Sequence, residues 1–401
     1  MVIYGFKHGK TLIKGIILSL GTISVMCTGA IAPALPIIAN NFSNVPDAKF
    51  WVRLIVTVPH LVIAVTAPFA GWFATRLDRR LMLVFAIFAY SILGASCGFI
   101  SSIYAIIAMR ALVGFCIAIV LSVSSTLIAD LFDGKERSEI IGLQTTFMSV
   151  GTVTYGILGG IIADVNWRGN FLLYLLPMAV IPFIYFFLID PYPKRGKKHK
   201  AVFNKEVEPN DKVYSQSNAT IVVVYLLSIL TMAMYYMIPL QLPFLLYAMN
   251  GMTAKKISYV LVTETISAAT CAFLYKYFKE RLECHTLSAI SFAAMSLSYF
   301  IISTQNNYFV IMFTMVIFGF GMGVNMPNMT LWIINVTKPL NRGLVIGGMF
   351  SAIYSGKFLS SILITQMGKI ATPHTTYFMA ACLMITVSLA IAAFSGKKKN
   401  Y

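Results

Sequence analysis

Acidic residues are scarce: 14 Asp and Glu stand against 31 Lys and Arg in 401 residues, and all charged residues together make up only 11%. So little charge, beside 58% hydrophobic residues and a mean hydropathy of +0.79, excludes an ordinary soluble domain. Cysteine is sparse too. Of six, Cys27, Cys97, Cys116, Cys271 and Cys382 sit in apolar runs and Cys284 flanks another, which leaves no disulfide framework and no metal-ligand spacing. An ATP-binding loop is also missing. The opening MVIYGFKHGKTLIKG has no small-residue cleavage site, which predicts an uncleaved first span rather than a signal peptide.

What the sequence has is long apolar runs. A helix crossing a bilayer needs about 20 mainly apolar residues, and twelve such stretches centre on residues 12–38, 51–74, 81–100, 103–129, 139–162, 171–189, 219–247, 257–275, 286–303, 308–334, 344–366 and 375–394. Several contain Gly or Pro, which membrane helices tolerate because neighbours satisfy the freed backbone groups. The expected fold class is therefore an all-α membrane protein of twelve transmembrane helices. A polar, basic segment at 191–218 divides it into six-helix halves, 1–190 and 219–401.

The net charge of +17 raises nucleic acid or an anionic surface as partners, and the placement of charge decides. With the N-terminus cytoplasmic, 23 of the 31 basic residues fall in cytoplasmic segments and six in the opposite loops. This is the positive-inside asymmetry. It places both termini in the cytoplasm, expects lipid as a partner and needs no nucleic acid. A monomer in a bacterial cytoplasmic (inner) membrane is the expectation.

A shift of 205 residues superimposes the second half on the first. Phe73, Arg76, Leu77 and Asp78 then meet Phe278, Arg281, Leu282 and Glu283, while Gly114, Arg137, Gly142 and Gly151 meet Gly319, Arg342, Gly347 and Gly356.

Two six-helix halves in parallel repeat, joined by a basic linker, resemble the major facilitator superfamily over nearly the whole chain. The family's motif between helices 2 and 3, Gly-x-x-x-Asp-Arg-x-Gly-Arg-Arg, is met by Gly71, Arg76, Arg79 and Arg80, with Thr75 and Asp78 at the Asp and second Gly positions. In the family it latches the cytoplasmic side. RALVGF resembles the helix 4 motif through Arg110 and Gly114, with Val113 for Gln. The helix 5 glycine motif of the drug/proton antiporters is approached by Gly142, Gly151, Tyr155, Gly156, Gly159 and Gly160, without its central Gly-Pro. The resemblance implies a secondary transporter working by alternating access, with helices 1, 4, 7 and 10 lining a central cavity, and no enzyme.

Ionisable residues inside spans are costly and mark function. Glu264 is the one acid well inside a span, with Arg110 and Lys357 as cations and His60 and Arg53 nearer the outer end of helix 2. Proton coupling through Glu264, tuned by Arg110, stands beside an inert pairing of Glu264 with Lys357 or Arg110. Lys357 aligns with the neutral Thr152 under the repeat, so the architecture requires no cation there; contact with an anionic substrate is one reading, neutralisation of Glu264 the other. Asn325, Asn328, Trp332 and Asn335 share a helical face, to bind a polar ligand or to join helices. Tyr235, Gln241 and Thr28 complete the substrate-binding candidates, with His60.

The expected function is transport of a small organic solute coupled to protons, with efflux of amphipathic compounds in front. Uptake or export of an organic anion, such as a carboxylate siderophore, is supported by the excess of cations in the spans. No cofactor and no metal are expected. Two readings of other kinds carry less. GASCG at 94–98 imitates a protease nucleophile loop, and a transporter-like sensor lacks an appended signalling domain. GFGMG at 319–323 imitates a dinucleotide loop with no strand before it.

Overall fold

A computed structural model describes residues 3–74, 77–132, 134–188, 218–249, 251–337 and 342–398, and among these every regular element is helical. In chain order they are α1 Ile3–Gly29, a 3₁₀ turn Ala32–Ala34, α2 Leu35–Asn41, α3 Ala48–Ala74, α4 Arg79–Ser96, α5 Ile103–Leu131, α6 Gly134–Asn166, a 3₁₀ segment Trp167–Val180 and α7 Ile181–Phe187. Then follow α8 Asn218–Tyr235, α9 Met237–Ala248, α10 Ala254–Lys279, α11 Cys284–Thr304, α12 Tyr308–Asn335, α13 Arg342–Ile370 and α14 Pro373–Lys398. Arg76, the segment 191–217 and the last three residues lie outside the described residues.

Ten stretches among the described residues are long and apolar enough to cross a membrane. Two expected spans do not stand apart. The one at 171–189 runs on from its predecessor in a single stretch, Glu139–Phe187, and the one at 344–366 is helical within α13 but carries Lys357 and is less apolar. The surface is that of a protein solvated by lipid: Phe85, Phe99, Phe186, Phe273 and Phe309 are between 69% and 77% exposed, whereas Arg53, His60, Arg79, Arg110 and Glu264 are buried.

Packing forms two bundles. In the first, α1 lies on α6 and α5 lies on α3 and α4; in the second, α8 lies on α13 and α12 on α10 and α11. They meet along α6 with α10 and along α3 with α13. The repeat is kept in the register of the helices and in one helix crossing. Arg79 and Cys284 open α4 and α11, and Ile103 and Tyr308 open α5 and α12, at the same spacing. Gly114 lies against the backbone of Pro59, and Gly319 against the backbone carbonyl of Glu264, the residue equivalent to Pro59.

Proline interrupts the first helix of each bundle. Pro33 has no N–H for Gly29 and crowds its carbonyl, and Pro239 does the same to Tyr235; α1 ends at Gly29 and α8 at Tyr235. Each helix resumes after a short break, as α2 and α9.

The sequence motifs are mostly structural here. Gly71 lies in the last turns of α3. Asp78 caps its own helix, accepting from the backbone N–H groups of Arg80 at 2.9 Å and Leu81 at 3.2 Å. Arg79 pairs with Asp130 of α5 at 2.6 Å, and Arg80 lies 4.2 Å from the Tyr185 ring centroid. Along α6, Gly142 meets no neighbour and Gly151 sits against Thr22. Gly156 faces Val262, Gly159 touches the Ala30 backbone, Gly160 faces Ser258, and Tyr155 packs beside Gly29. Small residues thus let α6 approach both α1 and α10.

Candidate functional site

The two helix breaks face each other across the bundle interface, and a cavity of about 150 Å³ lies between them. Thr28, Gly29 and Ala32 line it from the first break, and Tyr235, Tyr236, Ile238 and Pro239 from the second. α6 adds Met148, Thr152 and Gly156, α10 adds Glu264 and Thr265, and α13 adds Tyr354 and Lys357. Thr152 and Lys357 are equivalents under the repeat and both reach the cavity, so the internal pseudo-symmetry runs through the site.

Glu264 is 3% exposed, and its Oε2 accepts from Tyr235 Oη at 3.4 Å and Thr265 Oγ1 at 3.3 Å, while Oε1 has no hydrogen-bond partner. Lys357 Nζ lies 4.7 Å from the Tyr354 ring centroid and 5.2 Å from that of Tyr236, and has no ion-pair partner among the described residues. Aromatic faces attract the ammonium through the ring quadrupole but do not neutralise it. Tyr236 is held from both bundles: its hydroxyl is 3.2 Å from Thr28 Oγ1 and 3.2 Å from His60 Nε2. His60 stacks on Tyr354 as well.

Of the residues expected from the sequence, Glu264, Lys357, Tyr235 and Thr28 line the cavity, and His60 touches two of its tyrosines. Four candidates lie elsewhere. Gln241 accepts from Arg53 Nη2 at 2.6 Å, away from the cavity lining. Asn325 donates to Thr231 at 3.0 Å, joining α12 to α8. Asn328 donates to Ser288 at 2.8 Å and to the Cys284 carbonyl at 2.6 Å, and accepts from Tyr275 at 3.1 Å, tying α12 to α11 and α10. Trp332, half-buried farther along α12, is not in the lining either.

Arg110 is not beside Glu264. Its guanidinium is fully buried and donates to the carbonyls of Ile55 at 2.8 Å and Cys27 at 2.9 Å, to Cys27 Sγ at 2.8 Å and to the hydroxyl of Tyr174. It binds α1, α3 and the 3₁₀ segment together. Neither basic candidate forms an ion pair with Glu264 among the described residues, so the inert pairing is not what the geometry shows.

Tyr236 and Tyr354 were not among the sequence candidates. One signal for Tyr236 was available: prolines at Pro33 and Pro239, within one residue of equivalence under the repeat, mark broken helices, and transporter sites gather at such breaks. Tyr354 lies three residues before Lys357, on its helical face.

Hydrogen bonds between bundles cluster toward one end. Arg53 reaches Gln241, Thr57 reaches Ser361 at 3.2 Å, Asn40 reaches Tyr247 at 3.2 Å, and Asp164 accepts from the start of α10.

Two bundles of apolar helices around a buried, charged cavity at their interface define a multi-pass membrane transporter for a small molecule. The chain belongs to the Major Facilitator Superfamily, whose profile it matches over residues 17–252 and 224–400. It is 23% identical to Multidrug resistance protein 1 of Bacillus subtilis (strain 168) over 375 residues, 92% of this chain and 93% of that one. A 27% identity to Multidrug export protein EmrB of Escherichia coli (strain K12) covers 43% of this chain and 34% of EmrB. Among solved structures, a bacterial homologue of the human lysosomal transporter Spinster, inward-facing and occupied, superimposes with a TM-score of 0.74 at 14% identity, covering 97% of each chain. The protein is an integral membrane transporter and not an enzyme.

Proposed function

We propose that the chain exports small amphipathic organic compounds by alternating access, driven by proton exchange at Glu264. One observation carries this reading: a carboxylate buried at the bundle interface, with one oxygen unpartnered and no basic partner among the described residues, lining the cavity between two broken helices. A proton would neutralise this carboxylate and a cationic solute group would compensate it, and either changes the net charge at the contact surface of the two moving bodies. The names of the multidrug relatives support export. The basic residues Arg79, Arg80 and Arg137 support a cytoplasmic position for their end of the bundles, in a bacterial inner membrane on this reading. The bundle-to-bundle hydrogen bonds then close the outer end.

Transport of an organic anion is the second reading, favoured by Lys357, whose ammonium meets only aromatic faces. The test is a solute screen in proteoliposomes with and without an imposed pH gradient. Glu264→Gln is expected to abolish gradient-driven flux and to retain exchange of any solute it still binds; loss of exchange for a solute that still binds, or undiminished gradient-driven flux, rejects the assignment.

A further inference from the structure

Glu264 and Lys357 share one small cavity without neutralising each other. Glu264 enters from α10 and Lys357 from α13, and no other charged side chain is among the lining residues. What separates them is the tyrosine pair at the α8–α9 break. Tyr235 and Tyr236 are chain neighbours with ring centroids 5.5 Å apart and planes at 67°, so they address different walls. Tyr235 turns its hydroxyl to Glu264. Tyr236 turns its ring to Lys357 and spends its hydroxyl on Thr28 and His60. Tyr354 covers the ammonium from a second direction.

Opposite charges buried together normally close into an ion pair, because each left alone in a low-dielectric site keeps an uncompensated desolvation cost. Here they form no ion pair among the described residues, and each instead meets its own member of the tyrosine pair. A solute bearing one charge would satisfy one wall and leave the other bare. A solute bearing both would satisfy the two walls at once.

We propose that the cavity takes a small zwitterionic solute, its anionic group on the Lys357 ammonium and its cationic group on the free Oε1 of Glu264, with an apolar body against Tyr235, Tyr236 and Tyr354. The proposal rests on the reading above that this cavity is the transport site. It narrows amphipathic compounds to those carrying both charges, and it makes the organic-anion reading half of one recognition scheme. The size agrees: a cavity of about 150 Å³ is large enough to take a benzene-sized body.

The experiment titrates the purified full-length chain, by calorimetry, with matched triads that share one body: phenylalanine, phenethylamine and 3-phenylpropionate; γ-aminobutyrate, butylamine and butyrate. In at least one triad the zwitterion is expected to bind about tenfold or more tighter than both singly charged analogues. Glu264→Gln is expected to shift the preference to the anion of that triad, and Lys357→Gln to the cation. Triads in which no zwitterion exceeds both of its analogues, including triads that do not bind at all, overturn the proposal. An unchanged preference in both variants, at unchanged melting temperature, overturns it too. The wild-type comparison stands without the variants if either fails to fold. Proton-driven flux is read separately in proteoliposomes: its loss with the triad preference intact defeats the coupling reading alone, and a lost preference with flux intact defeats the zwitterion alone.

Discussion

Asp164, near the end of α6, accepts the backbone N–H of Ala254, the first residue of α10, at 2.6 Å, and that of Lys255 at 3.1 Å. A carboxylate of one bundle thereby caps a helix of the other, where free N–H groups and the helix dipole favour negative charge. Thr253 caps the same turn from within, accepting from Lys256 at 3.3 Å. Closure at this end therefore depends on a contact that must break if the bundles part there. Asp164→Ala removes about 1–2 kcal/mol of capping, about five- to thirty-fold in the open-to-closed ratio at this end. A cysteine at the cavity residue Ala32 is expected to react faster with a membrane-impermeant thiol reagent added from that side in Asp164→Ala than in the parent. Equal rates would show that the cap does not hold this end.

Arg110 has no ion-pair partner among the described residues, yet it ties three elements of the first bundle together. Truncation to Ala leaves the carbonyls of Ile55 and Cys27 and the hydroxyl of Tyr174 without their donor, at about 1–3 kcal/mol for each buried group left unsatisfied. Lysine cannot reproduce the planar fork that reaches three elements. The expected outcome is a large fall in melting temperature in detergent for Arg110→Ala and a smaller one for Arg110→Lys. A melting temperature unmoved in both would mean the cluster is not structural.

Much of this architecture was legible because its signals are physical and periodic. The spacing of Phe73, Gly114 and Gly151 from their counterparts predicts a duplicated bundle, and helix starts at Arg79 and Cys284 keep that register. Glu264 and Lys357 stood out because charge in an apolar run has a cost. The asparagines of α12 show where such reading stops. Their spacing says that Asn325 and Asn328 lie toward one side of the helix, but not which neighbour that side meets; the neighbours turned out to be Thr231, Ser288 and Tyr275. Tyr236 and Tyr354 were hidden for the opposite reason. Aromatic residues are ordinary in a bundle, and only the break at Tyr235 and the turn shared with Lys357 give these two a special position. Residues 171–180 of the 3₁₀ segment Trp167–Val180 fall within an expected ordinary span, since hydropathy carries no information about the pitch of the helix.

The asparagine contacts give a third expectation. Asn328→Ala loses three hydrogen bonds to α10 and α11, and membrane hydrogen bonds are each worth about 0.6 to 2 kcal/mol. The variant is expected to melt at a lower temperature while binding solute with unaltered affinity. An affinity loss at unchanged melting temperature would instead place Asn328 in the binding site.

The duplicated helix crossing supplies the last expectation, because its two copies differ in what they support. A methyl group at Gly114 would approach the Pro59 carbonyl oxygen and Cα to 2.6 Å and 2.7 Å, and one at Gly319 would approach the Glu264 carbonyl oxygen to 2.5 Å and Ser267 Cβ to 2.6 Å. Backbone atoms cannot rotate away, so both substitutions by Ala force the helices apart, at about 1–3 kcal/mol for such overpacking. The Gly114 crossing supports Pro59, which carries no charge. The Gly319 crossing lies against the backbone of Glu264, which carries the cavity carboxylate. Both variants are therefore expected to lose thermal stability to a similar degree, while Gly319→Ala also loses gradient-driven flux out of proportion to its stability. Gly142→Ala and Gly347→Ala, which add a methyl where no neighbour lies within 4 Å, serve as controls and are expected to hold or gain stability. Melting curves and flux measured on all four variants decide it. Equal flux in Gly114→Ala and Gly319→Ala at equal stability would show that the position of Glu264 does not set the coupling.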